Sequence, residues 1–173
     1  SSLLYFIANS FPNPFGKKHE RNLEGEYVRI DPDGEPAVFV FKTVADPFVG
    51  KMSYFKVMSG TLKRDTVLKN LTTGENEKFA RIYTVKGKKQ TEVDELCCGD
   101  IGMIAKLANT NTNDTLTLNS DISYKKIVFP HPYMTMAIMP AAKGDEDKIS
   151  TGIARLLEED PTLVYENNAE TKL

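Results

Sequence analysis

Cysteine is nearly absent from this chain: two in 173 residues, adjacent at Cys97 and Cys98. A disulfide framework and a four-ligand structural zinc site are excluded on that count, and a reducing cytoplasm is the simplest setting. Tryptophan is missing, and histidine occurs only at His19 and His131. Neither histidine has the i, i+4 partner of a helical metal site or a nearby serine or cysteine nucleophile, so both read as surface or junction residues. No apolar run approaches the roughly 20 residues that a bilayer helix needs, which argues against a membrane partner. What is present, 40% hydrophobic and 27% charged residues, suffices for a real core and excludes disorder.

A net charge of −2 hides an asymmetry. Residues 1–35 sum to −2, residues 36–106 to +4 and residues 107–173 to −4. An anionic partner should therefore meet the middle segment.

The chain opens at Ser1 with Leu3, Leu4, Ile7 and Ala8 at helical spacing before Phe11-Pro12-Asn13-Pro14, where two prolines stop a helix. This reads as the last turns of a helix belonging to something upstream. Residues 15–36 are rich in charge, Gly and Pro, as in a connecting segment, and Asp31-Pro32-Asp33-Gly34 reads as a turn. From Pro36 onward the signal is β. Strands are expected at 37–42, 52–59, 66–70, 78–85, 101–106 and 115–118, separated by turn-forming stretches such as Ser59-Gly60 and Lys86-Gly87. In 52–59, Phe55 and Val57 alternate with Tyr54, Lys56 and Met58, which predicts an inward and an outward face. Short strands at this spacing argue for a small closed barrel or a sandwich.

At about Lys125 the pattern changes. A strand is expected at 133–139, a helix from about Asp145 to Glu159 with Ile149, Ile153, Leu156 and Leu157 on one face, and another strand at 162–166. No catalytic constellation is found. The triphosphate-cradling loop fails, because Gly50-Lys51 is followed by Met52. Cys97-Cys98 reads as two small residues at a strand boundary, and no local reason is evident for the acids Glu158-Glu159-Asp160 at a helix C-terminus.

Several longer strings carry a resemblance. Phe41-Lys42-Thr43-Val44-Ala45-Asp46-Pro47-Phe48-Val49-Gly50-Lys51-Met52, Ser59-Gly60-Thr61-Leu62, Gly99-Asp100-Ile101 and Asp114-Thr115-Leu116 resemble the second domain of bacterial elongation factor G. Asp147-Lys148, Ile153-Ala154 and Glu158-Glu159-Asp160-Pro161-Thr162 are similar to the opening of that family's third domain, and residues 1–14 to the close of its GTPase domain. The stretch Val85-Lys86-Gly87-Lys88-Lys89-Gln90 looks more like the elongation factor G-like paralogues than the main translocase, and Asn113 stands where the family has a Gly.

The resemblance implies a mainly β fold: residues 1–35 as the end of a GTPase domain and linker, 36–124 as a translation-factor-type β-barrel, and 125–173 as the start of a ferredoxin-like split βαβ half-domain. It implies a cytoplasmic piece of a ribosome-associated translational GTPase, itself no enzyme. GTP and magnesium would belong to the upstream domain, and the barrel would contact small-subunit ribosomal RNA and its own GTPase domain. The RNA-contact candidates are Lys51, Tyr54, Lys56, Lys63 and Arg64, with the loop lysines Lys86, Lys88 and Lys89. The alternative is a protein-docking barrel whose outward Tyr54 and Met58 meet only the GTPase domain. Unpaired strand edges in the tail would invite a tail-mediated dimer or leave the chain mobile after about Ile127.

Overall fold

The computed structural model describes residues 2–11, 20–140, 142 and 144–166; His19 lies outside them. Helix α1 (Ser2–Ser10) precedes twelve strands: β1 (Glu20–Arg21), β2 (Tyr27–Val28), β3 (Ala37–Asp46), β4 (Gly50–Ser59), β5 (Thr61–Lys63), β6 (Thr66–Asn70), β7 (Asn76–Phe79), β8 (Ile82–Lys86), β9 (Lys89–Val93), β10 (Glu95–Cys97), β11 (Ile101–Ala105) and β12 (Thr115–Thr117). Helix α2 (Glu146–Glu159) follows. Eight strands form one antiparallel sheet in the order β7-β6-β12-β3-β4-β11-β8-β9, while β5 pairs with β10 and β1 with β2.

The sheet curls on itself. In a flat sheet, β7 and β4 would stand about 19 Å apart, four spacings of about 4.8 Å. Yet the rings of Phe55 on β4 and Phe79 on β7 meet edge to face with centroids 5.5 Å apart. The enclosed core is Val38, Val40, Phe55, Val57, Leu62, Leu68, Phe79, Ile82, Leu96, Ile104, Leu107 and Leu116, all buried. It is the inward face that the alternation in β4 predicts.

A second, smaller core lies on the outside of the barrel. Ala37, Phe39, Met58 and Tyr124 pack there with Val28 and Phe41. Residues 20–30 and 119–125 form the cover, tied by Leu23 N–H to Ser123 O at 3.0 Å, Lys125 N–H to Arg21 O at 2.8 Å and the Asn22–Tyr124 bridge. Met58 does point outward, but this cover buries it, so the expectation of a wet Met58 does not hold.

Other differences have equally local causes. The single strand expected at 78–85 is two, β7 and β8, broken at Ala80-Arg81. Phe79 and Ile82 are both fully buried, and residues three apart in a continuous strand face opposite ways, so the break is what lets both point inward. Strands β5, β9 and β10 carry little apolar alternation; β9 is exposed through Glu92 and exists because the hairpin delivers it to β8. The strands expected at 133–139 and 162–166 do not form among the described residues, and Tyr133, Met134, Met136 and Met139 are exposed. A strand needs a neighbour for its N–H and C=O groups, and no described segment pairs with either stretch.

Helix α2 does form where expected and lies against β3, with Ile149 and Ile153 half-buried. The acid at its end has a reason after all. Asp160 Oδ1 accepts the Thr162 backbone N–H at 2.9 Å and its hydroxyl at 2.7 Å, a local turn that stops the helix before Pro161. The Asp31–Gly34 string is the expected turn, with Gly34 N–H on Asp31 O at 3.3 Å.

Burial pushes the Tyr124 phenol up to about 12. A phenol whose folded pKa is raised contributes stability that is intact below the unfolded value of 10.0 and is lost as pH rises from there towards about 12. Tyr124→Phe should therefore leave the denaturant midpoint nearly unchanged at pH 7 and remove part of the decline above about pH 10. A midpoint-against-pH curve with the same alkaline decline in both proteins would contradict this.

Candidate nucleic-acid interface

The long β3–β4 hairpin brings several candidates together. Its turn is held by the Asp46 carboxylate, which accepts the Phe48 and Val49 backbone N–H groups, each at 2.8 Å. The bond from Val49, then that from Phe48, holds the carboxyl below its ordinary range. Lys51 leaves this turn half-buried with Nζ donating to Asn111 Oδ1 at 2.8 Å. Tyr54 is half-buried on the outer face, opposite Lys42 on β3 and Met103 on β11.

Two of the predicted contact residues are paired with acids, most of them distant in sequence. Lys56 Nζ pairs with Glu20 Oε1 at 2.7 Å, and both side chains are about three-tenths exposed. Arg64 stands among Glu92 at 3.3 Å, Asp65 at 3.8 Å and Asp94 at 3.9 Å. To meet a phosphate, either side chain would first leave a carboxylate. Lys63, at the end of β5, is exposed and has no carboxylate partner among the described residues.

Among the described residues, the loop lysines are free of such partners. Lys86, Lys88 and Lys89 occupy the tip of the β8–β9 hairpin, where Lys86 and Lys89 face each other across Gly87-Lys88 and Gly87 takes a φ of 60°. All three are exposed and, among the described residues, none has a carboxylate partner. Behind the tip, Gln90 Nε2 lies 3.6 Å from Met52 Sδ, next in sequence to Lys51, and the Lys106 backbone N–H donates to Lys51 O at 2.8 Å. Two further exposed lysines, Lys42 opposite Tyr54 and Lys106 bonded to Lys51, were not singled out in the sequence. The first was legible, since the Asp46–Gly50 turn fixes the register that sets Lys42 opposite Tyr54; the second depends on a φ of 66° at Lys106 that no sequence pattern signals.

Cys98 is buried, and desolvation raises its thiol above the ordinary value, the reverse of what a nucleophile needs. Among the described residues no group of three or more His, Cys, Asp or Glu could hold a metal ion. No helix of the described chain is long and apolar enough to cross a membrane. Nor do these residues fit a nucleotide triphosphate: Gly50-Lys51 begins a strand, with Gly50 at a φ of 87°, rather than a helix N-terminus, and the lysine is engaged by Asn111.

Two family models match, "Elongation factor G domain 2" over residues 35–119 and "Elongation Factor G, domain III" over residues 129–172. Among curated proteins, the elongation factor G of Chlamydia trachomatis serovar D and that of serovar A are each 35% identical over 175 residues, covering 98% of this chain. The chain spans about a quarter of the length of these relatives, 25% in each case. A crystal structure of a Thermus thermophilus protein superimposes with a TM-score of 0.77 at 26% identity, covering 99% of this chain and 24% of the other.

Proposed function

Since this chain belongs to the elongation factor G family, matching its domain 2 and domain III, we propose that it serves a ribosome-associated translational GTPase in the cytoplasm as the part that holds small-subunit ribosomal RNA. The observation that supports this reading is the β8–β9 tip, where Lys86, Lys88 and Lys89 project, without carboxylate partners among the described residues, from the segment carrying the chain's positive surplus. Lysines on a rigid hairpin can neutralise phosphates and fix orientation without reading bases. Lys51, Lys63 and the half-buried ring of Tyr54 add to the same role, while Lys56 and Arg64 serve chiefly to tie the fold together. The GTPase domain of the family would supply GTP and magnesium, and the barrel would pack on it. Hydrolysis is assigned to that domain.

The 173-residue chain should co-sediment weakly with small ribosomal subunits, with binding that falls steeply as salt rises. Charge reversal of Lys86, Lys88 and Lys89 together should reduce the salt slope by about 2 to 3, whereas Lys56→Gln and Arg64→Gln should change it by well under one. A slope untouched by the triple reversal would transfer the reading to a barrel that docks only on protein. In calorimetry, millimolar GTP should give no saturable heat; micromolar binding would contradict the assignment of nucleotide chemistry to another domain.

A further inference from the structure

Towards the opposite end of the strand order from that tip, a groove of about 510 Å³ runs between the β6–β7 turn and the segment 121–126. We propose that it is a second RNA site, which takes one ribose-phosphate stretch; the proposal rests on the RNA-contact reading above.

Its walls are fixed in advance. Asn70 pins the turn, its Oδ1 accepting the Thr72 N–H at 2.8 Å and its backbone O accepting the Gly74 N–H at 2.8 Å. The opposite wall is pinned on both sides of Lys126. Lys125 N–H donates to Arg21 O at 2.8 Å, and the Asn113 side chain clasps Ile127 by accepting its N–H at 2.8 Å and donating to its carbonyl at 3.0 Å. Asn113 can do this because it sits at a φ of 79°, a left-handed conformation that Asn tolerates. A groove held this way loses little freedom on binding.

The chemistry inside comes from side chains. The wall N–H groups of Leu23, Leu71, Thr72 and Gly74 are already bonded within the protein. The ammonium groups of Lys69 and Lys126 and the hydroxyls of Thr72 and Ser123 have no intramolecular partner among the described residues. Lys69 is exposed, because Leu68 and Asn70 on either side of it turn inward. Two ammonium groups and two hydroxyls suit phosphate oxygens, and the leucines offer an apolar wall to a sugar or base. Asp121, likewise without a partner, repels phosphate but accepts a hydrogen bond from a 2′-hydroxyl. That combination favours RNA over DNA.

The test is an NMR titration of the whole chain with a short oligouridylate, the matching deoxy-oligomer and inorganic phosphate. The amides of Thr72, Thr73 and Ser123 should shift saturably with the RNA and less with the DNA. Lys69→Gln with Lys126→Gln should lower the salt slope of RNA binding by about 1.4, at about 0.7 per single-strand contact. Asp121→Ala, which removes the acceptor for the 2′-hydroxyl, should bring RNA and DNA affinities close together, and Asn113→Gly, which removes no charge, should weaken binding while leaving the slope unchanged. Shifts confined to Lys86–Lys89, with the groove variants behaving as wild type, would overturn this site and leave the hairpin reading standing. Equal RNA and DNA binding in the wild type, or shifts with phosphate alone, would overturn it as an RNA site. Loss of effect in both lysine sets would overturn both readings.

Discussion

Replacing Asn70 by aspartate should cost about 3–5 kcal/mol, enough to unfold a large share of the chain at neutral pH. Asn70 is fully buried, and its Nδ2 donates to Asp114 Oδ2 at 2.9 Å, Asn109 O at 3.1 Å and Thr110 Oγ1 at 3.3 Å. The aspartate keeps the shape and the acceptor oxygen that Thr72 uses, so the loss isolates the missing N–H donors and the new charge against Asp114, itself buried. Reversing the pair, Asn70→Asp with Asp114→Asn, restores one donor and one carboxylate and should recover about half of the loss in a urea titration. If Asn70→Asp alone shifts the midpoint by less than about 1 kcal/mol, this polar cluster does not organise the barrel end.

Gly60→Ala should be comparably damaging, about 3–5 kcal/mol, although it adds one methyl group at a turn. Gly60 has a φ of 62°, and a Cβ there would lie 2.3 Å from Gly34 O and 2.9 Å from both Glu35 C and Pro36 N. These are backbone atoms and cannot rotate aside. The Gly60 N–H also donates to Asp31 O at 2.8 Å, so the variant pushes the 31–36 segment off the barrel and should open it to protease. Gly74→Ala is the control. Its φ of 79° is just as unusual, but nothing lies within 4 Å of the added carbon, so only the left-handed penalty of about 1 kcal/mol remains. Thermal melts in which the two variants fall by the same amount would show that the steric explanation is wrong.

Ser59-Gly60 and Thr73-Gly74 look alike in sequence, and their difference marks the division between what the chain announces and what folding decides. Periodicity and turn chemistry are local, so they were legible: the strand 66–70, the inward Phe55 and Val57, the helix from Asp145 to Glu159 and the Asp31–Gly34 turn. Family membership was legible too, in the strings from Phe41 to Met52 and from Asp147 to Thr162 that resemble its second and third domains. Electrostatic availability was not. Lys56 is paired with Glu20, 36 residues away, and Arg64 with Glu92, so a count of basic residues along the chain did not show which cations are already paired and gave no warrant for choosing Lys69 or Lys126. The burial of Met58 under Tyr124, the break between Phe79 and Ile82, and the unpaired stretch 133–139 likewise depend on which distant segment covers or pairs with which. Side-chain direction follows from φ, ψ and the period of two within one strand; the partner that covers, neutralises or extends that strand is set only when the sheet curls into its tertiary form.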